Sequence, residues 1–298
     1  MEKLIQRTVA EIGKVLLGKD DKIRLSLCCL FARGHLLIED LPGMGKTTLS
    51  HALATLLGLS YNRIQFTSDL LPADILGSSI FNRDANKFIF HSGPIFSQVL
   101  LADEINRTTP KTQSALLEAM EEGQVTIDGE TRVLPKPFFV IATQNPLDQA
   151  GTFPLPESQL DRFLMRIELG YPDPKAERAM LVGGDTRQHL AQLQRTISDD
   201  QLRTIQEAVD KVRTSDSLLD YIQRILAKTR AGGDFPFGLS PRAAVALIRA
   251  AKTWALMQGR SHVIPEDLQM VLVPVAGHRL GEAGYGLAQK LIQWVPVI

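Results

Sequence analysis

The sequence is short of cysteine, of aromatic residues, of unbroken apolar stretches and of any surplus of charge. Its two cysteines, Cys28 and Cys29, are neighbours. Adjacent cysteines are poorly placed to bridge each other and offer no metal-ligand spacing, so they read as small apolar residues on a buried helix in a reducing compartment. The most apolar early stretch, from Leu25 to Ile38, is interrupted by Arg33, Gly34 and His35, which leaves it too short to span a bilayer. Residues 1–7 mix charges and lack the apolar centre of a secretion signal. The expectation is a cytoplasmic protein with no membrane insertion. Lys+Arg and Asp+Glu each total 33 and cancel. With no Lys/Arg cluster and no aromatic stacking stripe, nucleic acid is not expected as a partner. Internal repeats and low-complexity tracts are also missing.

What the 298 residues do contain is enough for a sizeable core: 44% are hydrophobic and 22% charged. That balance suits a globular chain of one large domain or two unequal ones. The first half alternates short apolar runs with helical patterns, as in a parallel sheet between helices. Leu36-Leu37-Ile38, Val99-Leu100-Leu101-Ala102 and Phe138-Phe139-Val140-Ile141-Ala142 are the candidate strands, continuous enough for burial on both faces. Leu49, Ala52, Leu53 and Leu56 form one helical stripe; Ala115, Leu116, Ala119 and Met120 form another. Two hairpins interrupt the alternation. Gln124-Val125-Thr126-Ile127 and Glu130-Thr131-Arg132-Val133 flank Asp128-Gly129, a strong two-residue turn signal. Ser79-Ile80-Phe81 and Lys87-Phe88-Ile89-Phe90 flank a looser polar turn. Composition changes at Tyr171-Pro172-Asp173-Pro174, and the pattern beyond is almost wholly helical. Its stripes are Leu202, Ile205, Val209, Val212 and Leu218, Leu219, Ile222, Ile225, followed by helices opened by Ser240-Pro241 and by Pro265. The reading is an α/β core over residues 1–171 and a smaller all-α domain over 172–298.

Chemistry concentrates at the strand ends. Glu39-Asp40-Leu41-Pro42-Gly43-Met44-Gly45-Lys46-Thr47-Thr48 lies between a strand and a helix, the setting of a phosphate-binding loop. There the N–H groups of a Gly-rich turn and of the helix start converge on phosphate oxygens. Gly43 and Gly45 permit close approach, Lys46 meets the β- and γ-phosphates, and the Thr47 hydroxyl can ligate Mg²⁺; Pro42, Met44 and Thr48 complete the loop. Asp40 stands where the pattern G-x-x-x-x-G-K-[ST] has glycine. Its charge requires either a side chain turned away from a polyphosphate or a weaker affinity. The run Val99-Leu100-Leu101-Ala102 ends in Asp103-Glu104, which sets carboxylates at the edge where open α/β folds bind ligands. Asp103 suits Mg²⁺ coordination, and Glu104 suits a general base acting on water. A third strand ends in Thr143-Gln144-Asn145-Pro146, whose Asn145 amide can orient that water, although a polar residue before proline is also an ordinary strand stop. Arg162 follows Asp161, and a surface ion pair is the simple account of it. Arg242 sits in the first turn of a helix, where a cation opposes the helix dipole. An anionic partner such as a nucleotide phosphate explains that placement no better and no worse than a structural role.

As an ordered set, the phosphate loop, Asp103-Glu104, Asn145, Leu160-Asp161-Arg162-Phe163 and Ser240-Pro241-Arg242 resemble the AAA+ ATPases. Residues 64–74, Gly93-Pro94-Ile95-Phe96, residues 101–107, Ala142-Thr143-Gln144-Asn145-Pro146 and residues 157–163 are similar to the MoxR branch. The likeness runs along essentially the whole chain and is weakest over residues 183–195. It implies a P-loop AAA+ core with a helical lid domain, ATP and Mg²⁺ as cofactors, and ATP hydrolysis. It makes Asn145 sensor 1, Arg162 an arginine finger serving a neighbouring subunit, and Arg242 sensor 2 in the lid. The hairpins at 79–90 and 124–134 resemble helix-2 and pre-sensor-1 insertions, and Val15-Leu16-Leu17-Gly18 resembles the stretch that lies against adenine. Ring oligomers (usually hexamers), chaperone-like remodelling and partners with von Willebrand factor A-type domains are also implied. Two other classes stay open. A nucleic-acid motor is opposed by the zero net charge. A nucleotide-gated assembly protein with little turnover is favoured by Asp40 and opposed by Asp103 and Glu104. No Asn-Lys-x-Asp base-reading motif favours GTP.

Overall fold

The computed structural model describes residues 1–146, 151–182, 186–281 and 283–297, with backbone alone for 186–188. The chain begins with α1 (Glu2–Gly13), α2 (Asp20–Phe31), β1 (Leu36–Glu39), α3 (Lys46–Leu57), β2 (Tyr61–Gln65) and the short α4 (Pro72–Leu76). A hairpin of β3 (Gly77–Asn82) and β4 (Lys87–Ser92) precedes β5 (Val99–Asp103) and α5 (Pro110–Glu122). A second hairpin, β6 (Gln124–Ile127) with β7 (Glu130–Val133), precedes β8 (Phe139–Gln144), α6 (Glu157–Leu160) and β9 (Met165–Ile167). The described residues beyond are helical: α7 (Pro174–Val182), α8 (Thr186–Ala191), α9 (Asp199–Lys211), α10 (Asp216–Arg230), α11 (Pro241–Met257), α12 (Pro265–Ala276) and α13 (Gly284–Trp294). None of the described helices is long and apolar enough to cross a membrane.

The three candidate strands are adjacent in one parallel sheet of order β2-β5-β8-β1-β9. Successive strand side chains point to opposite faces, and here both faces are apolar. Leu36, Ile38, Val99, Leu101, Phe139 and Ile141 enter a core shared with α1, α2, α3 and the C-terminal helices. Leu37, Leu100, Ala102, Val140 and Ala142 enter the core shared with α5. β2 and β9 lack an apolar run because they are the edges: β2 buries only Ile64, and β9 has three residues.

Both hairpins stand outside the sheet, as expected of insertions. Asp128 and Gly129 have φ of 54° and 79°, the type I′ geometry that matches strand twist. The longer turn is closed by the Ala85 N–H donating to Asn82 Oδ1 at 2.7 Å. The Arg132 guanidinium lies 3.8 Å from the centre of the Phe90 ring, so the hairpins touch. In the C-terminal region, Ser198 and Gln201 exchange bonds in a capping box that starts α9. Ser240 caps α11, its Oγ accepting the Ala243 N–H at 3.0 Å.

Arg279 fastens these helices to the sheet. Its side chain is 5% exposed, and Nε donates to Asp161 Oδ1 at 2.6 Å. Its other nitrogens reach the carbonyls of Asp161, Phe163 and Leu164, while the Ser240 hydroxyl donates to Asp161 Oδ2 at 3.2 Å. At the start of β1, His35 is held by two bonds. Its Nδ1 accepts the Val140 N–H at 3.0 Å, and Nε2 donates to the Met120 carbonyl at 3.2 Å. Burial pulls its pKa from 6.5 down to about 4.

Arg279→Met strands a partly buried carboxylate and is expected to lower the unfolding free energy by about 3 kcal/mol in a urea titration. His35 stays neutral in the folded protein, whereas the unfolded chain takes up a proton below pH 6.5. Stability is therefore lost as pH falls from 6.5 towards 4. In His35→Gln, the urea midpoint should fall less steeply across that window.

Candidate active site

Parallel order brings the carboxyl ends of β1, β8 and β5 side by side. The loop after β1, Asn145 after β8 and Asp103-Glu104 at the end of β5 therefore share one edge. Gly43 and Gly45 have φ of 82° and 93°, a region glycine enters at no steric cost. Leu16, from the α1–α2 link, closes on Gly45: a Cβ there would lie 2.6 Å from Leu16 Cδ1. The loop runs directly into α3, whose first N–H groups have no intrahelical acceptor and form an anion cradle with it. Pro42 and Thr47 are exposed, and Met44 and Thr48 are half-buried. Lys46 is 9% exposed and donates to the Asp40 carbonyl at 2.7 Å. Burial lowers its pKa, and Asp103, Asp40 and Glu104 oppose the shift.

The Asp40 carboxylate bridges the loop and the link after β9. Oδ1 accepts the Leu41 N–H at 2.8 Å, and Oδ2 accepts the Gly170 N–H at 2.6 Å.

Asp103 has both carboxylate oxygens engaged. Oδ1 accepts the Thr143 hydroxyl at 2.6 Å, and Oδ2 accepts Arg63 Nη2 at 2.7 Å and Nε at 3.2 Å. Glu104 follows with φ of 58°, an uncommon conformation for a residue with a side chain and one that collects at functional positions. Its N–H donates to Thr143 Oγ1 at 2.8 Å. Its carboxylate accepts Gln65 Nε2 at 2.7 Å and Arg107 Nη1 at 3.1 Å. Asn145 is buried directly after β8. This donor set fits a magnesium nucleotide: the Lys46 ammonium is buried at the loop and feels the Asp103 carboxylate, and Thr47, next in the chain, is exposed. Among the described residues no group of three or more His, Cys, Asp or Glu is placed to hold a metal.

Arg162 and Arg242 are not part of this cluster. Both ion-pair with Glu121, at the C-terminal end of α5, and His35 and Met120 line the same hollow. His35 precedes β1 and the phosphate loop follows it, so the arginines stand at the opposite end of the sheet from Lys46. Arg162 does not pair with its neighbour Asp161, which faces Arg279 and Ser240 instead. Arg63, Gln65, Arg107, Glu121 and Arg279 are site or supporting residues to which the sequence reading assigns no role. The alternation in Tyr61-Asn62-Arg63-Ile64-Gln65 carries one usable signal: in a strand, Arg63 and Gln65 share a face.

A profile of the ATPase family associated with various cellular activities (AAA) matches residues 35–165, and an AAA lid domain profile matches residues 227–290. YeaC of Bacillus subtilis (strain 168) is 46% identical over 280 residues, 94% of this chain and 88% of its own. Chaperone MoxR1 of Mycobacterium tuberculosis is 40% identical over 93% of this chain and 75% of its own. A Cytophaga hutchinsonii protein assigned as an ATPase superposes with a TM-score of 0.90 at 37% identity, covering 100% of this chain and 96% of that one. Sheet order, loop, lid and near full-length relatives agree: the chain belongs to the MoxR family of AAA+ ATPases.

Proposed function

We propose that this chain binds ATP with Mg²⁺ and hydrolyses it in a ring whose copies complete one another's sites, and that turnover remodels protein partners. One observation carries the reading. Arg162 and Arg242 meet at Glu121, at the far end of the sheet from the chain's own phosphate loop. They serve the nucleotide of another copy. A head-to-tail contact of this kind closes into a ring when the rotation between copies permits, and the family resemblance supports a hexamer.

In this reading residues 1–171 are the nucleotide-binding core and 172–298 the lid. The segment from Pro42 to Thr48 cradles the phosphates, with Lys46 on the β- and γ-oxygens. Thr47 and Asp103 hold Mg²⁺, which when bound neutralises phosphate charge. Glu104 takes the proton of the attacking water, Asn145 orients that water, and the two arginines offset charge on the neighbour's γ-phosphate. Before acting, Glu104 must leave Gln65 and Arg107, and Arg63 must release Asp103. The chaperone name of the Mycobacterium tuberculosis relative supports protein partners, and those with von Willebrand factor A-type domains are the class the resemblance favours. We assign the activity to the cytoplasm. Low turnover drew its support from the charge of Asp40, and that carboxylate is bonded to Gly170. Zero net charge weighs against a nucleic-acid motor.

Phosphate release is the test. Lys46→Ala is expected to lose nucleotide binding, and Glu104→Gln to bind ATP without turning it over. Arg162→Ala should bind normally and slow by about 10³-fold. An assembled, exchanging mixture of Arg162→Ala with Lys46→Ala regains activity, because some interfaces pair an intact loop with an intact arginine. A mixture no more active than its separate parts would sink the shared site. Arg63→Ala is expected to lower the Mg²⁺ concentration for half-maximal turnover by up to about fivefold, the worth of an exposed ion pair.

A further inference from the structure

Arg162 and Arg242 come from elements far apart in the chain and share one carboxylate. Arg162 lies between α6 and β9, Arg242 in the first turn of α11, and Glu121 near the end of α5. Arg162 Nη1 donates to Glu121 Oε2, and Arg242 Nη2 donates to Glu121 Oε1. Arg162 Nη1 also reaches the Leu117 carbonyl, one turn earlier on α5, at 3.3 Å. Among the described residues neither arginine has another acidic partner. A guanidinium carries N–H donors on all three of its nitrogens. Each arginine commits one nitrogen to Glu121 and keeps donors for a further acceptor.

The shared carboxylate offsets two unfavourable placements. Two like charges stand at one spot, where they repel unless an opposite charge lies between them. Arg242 also opposes the dipole of α11, and Glu121 supplies the compensating anion. The same bonds remove freedom. A long arginine side chain samples many rotamers, and an ion pair to each one narrows that spread before any phosphate arrives. Both pairs are partly exposed, Glu121 itself at 38%, and exposed pairs contribute little to stability. What they fix is position.

We propose that Glu121 is a positioning residue: by holding both guanidiniums at once, it presents Arg162 and Arg242 as a fixed pair to the γ-phosphate of the neighbouring copy. This rests on the shared-site reading above. The phosphate loop lies at the opposite end of the sheet from Glu121. Removing the carboxylate therefore slows turnover at the neighbour's site and leaves ground-state binding by each loop intact. A displacement of about 1 Å in a positioned group costs about 10²-fold in rate, which sets the expected scale.

The test uses the full chain at matched oligomer size and reads phosphate release beside nucleotide affinity. Glu121→Ala is expected to lower kcat by about 10²-fold with KM unchanged. It should bind a fluorescent ADP analogue as wild type does, yet lose most of the extra affinity that aluminium fluoride, a mimic of the transferring phosphoryl group, adds to ADP. Mixed with Lys46→Ala it should regain activity, because the Lys46→Ala copies present intact arginines to an intact loop. Glu121→Gln keeps one neutral acceptor and should fall between; it carries the test if Glu121→Ala does not assemble. Glu122→Ala, next on the helix, should keep the wild-type rate. A contact that only joined α5 to α11 would leave the kcat of the assembled variant at the wild-type value, and that result overturns the proposal. So does an equal loss in Glu122→Ala, or a mixture with Lys46→Ala no more active than its parts. If Arg162→Ala is slow and Glu121→Ala is not, the proposal alone fails; if Arg162→Ala itself keeps the wild-type rate, the shared-site reading fails and takes the proposal with it.

Discussion

Three adjacent strands without a polar face impose most of this architecture. Leu36 to Ile38, Val99 to Ala102 and Phe139 to Ala142 must be covered on both sides, and a parallel strand is reached only by crossing back over a face of the sheet. Every strand then ends at the same edge. The phosphate loop, Asp103-Glu104 and Asn145 are neighbours because of that rule, although about a hundred residues of chain separate the first from the last.

The return crossings build the other edge by the same logic. The helix α5 carries Glu121 back there, and β9 enters the sheet from there just after Asp161 and Arg162. Asp161 is engaged by Arg279 and by the cap of α11. Such a pair contributes geometry more than net stability, since desolvation offsets much of its attraction. Its effect is to set where Arg162 emerges. The two consecutive residues divide the work: one is sewn into the join between sheet and helices, the other reaches Glu121 on a different element.

What could be read in the sequence was local. The phosphate loop, the Asp103-Glu104 strand end, the Asp128-Gly129 turn and the Ser240-Pro241 cap each declare themselves within a few residues, because turn and cap chemistry is short-range. The inner strands were legible from their apolar runs, while β2 and β9 were not, since an edge needs burial on fewer sides. Polar partners brought together by tertiary folding left no trace. Arg63 meets Asp103 across 40 positions, and Arg279 meets Asp161 across 118. Adjacency in the chain suggested pairing Arg162 with Asp161; packing assigned Arg162 to Glu121.

The distance between the two arginines and their own phosphate loop has an evolutionary side. One coding sequence specifies both ends of the sheet, yet in the proposed ring they meet only between copies. A substitution that reshapes the Glu121 end arrives on every copy at once and confronts an unaltered loop on each neighbour. The two ends can drift only in step. Covariation among relatives would then join positions that never touch within a single molecule.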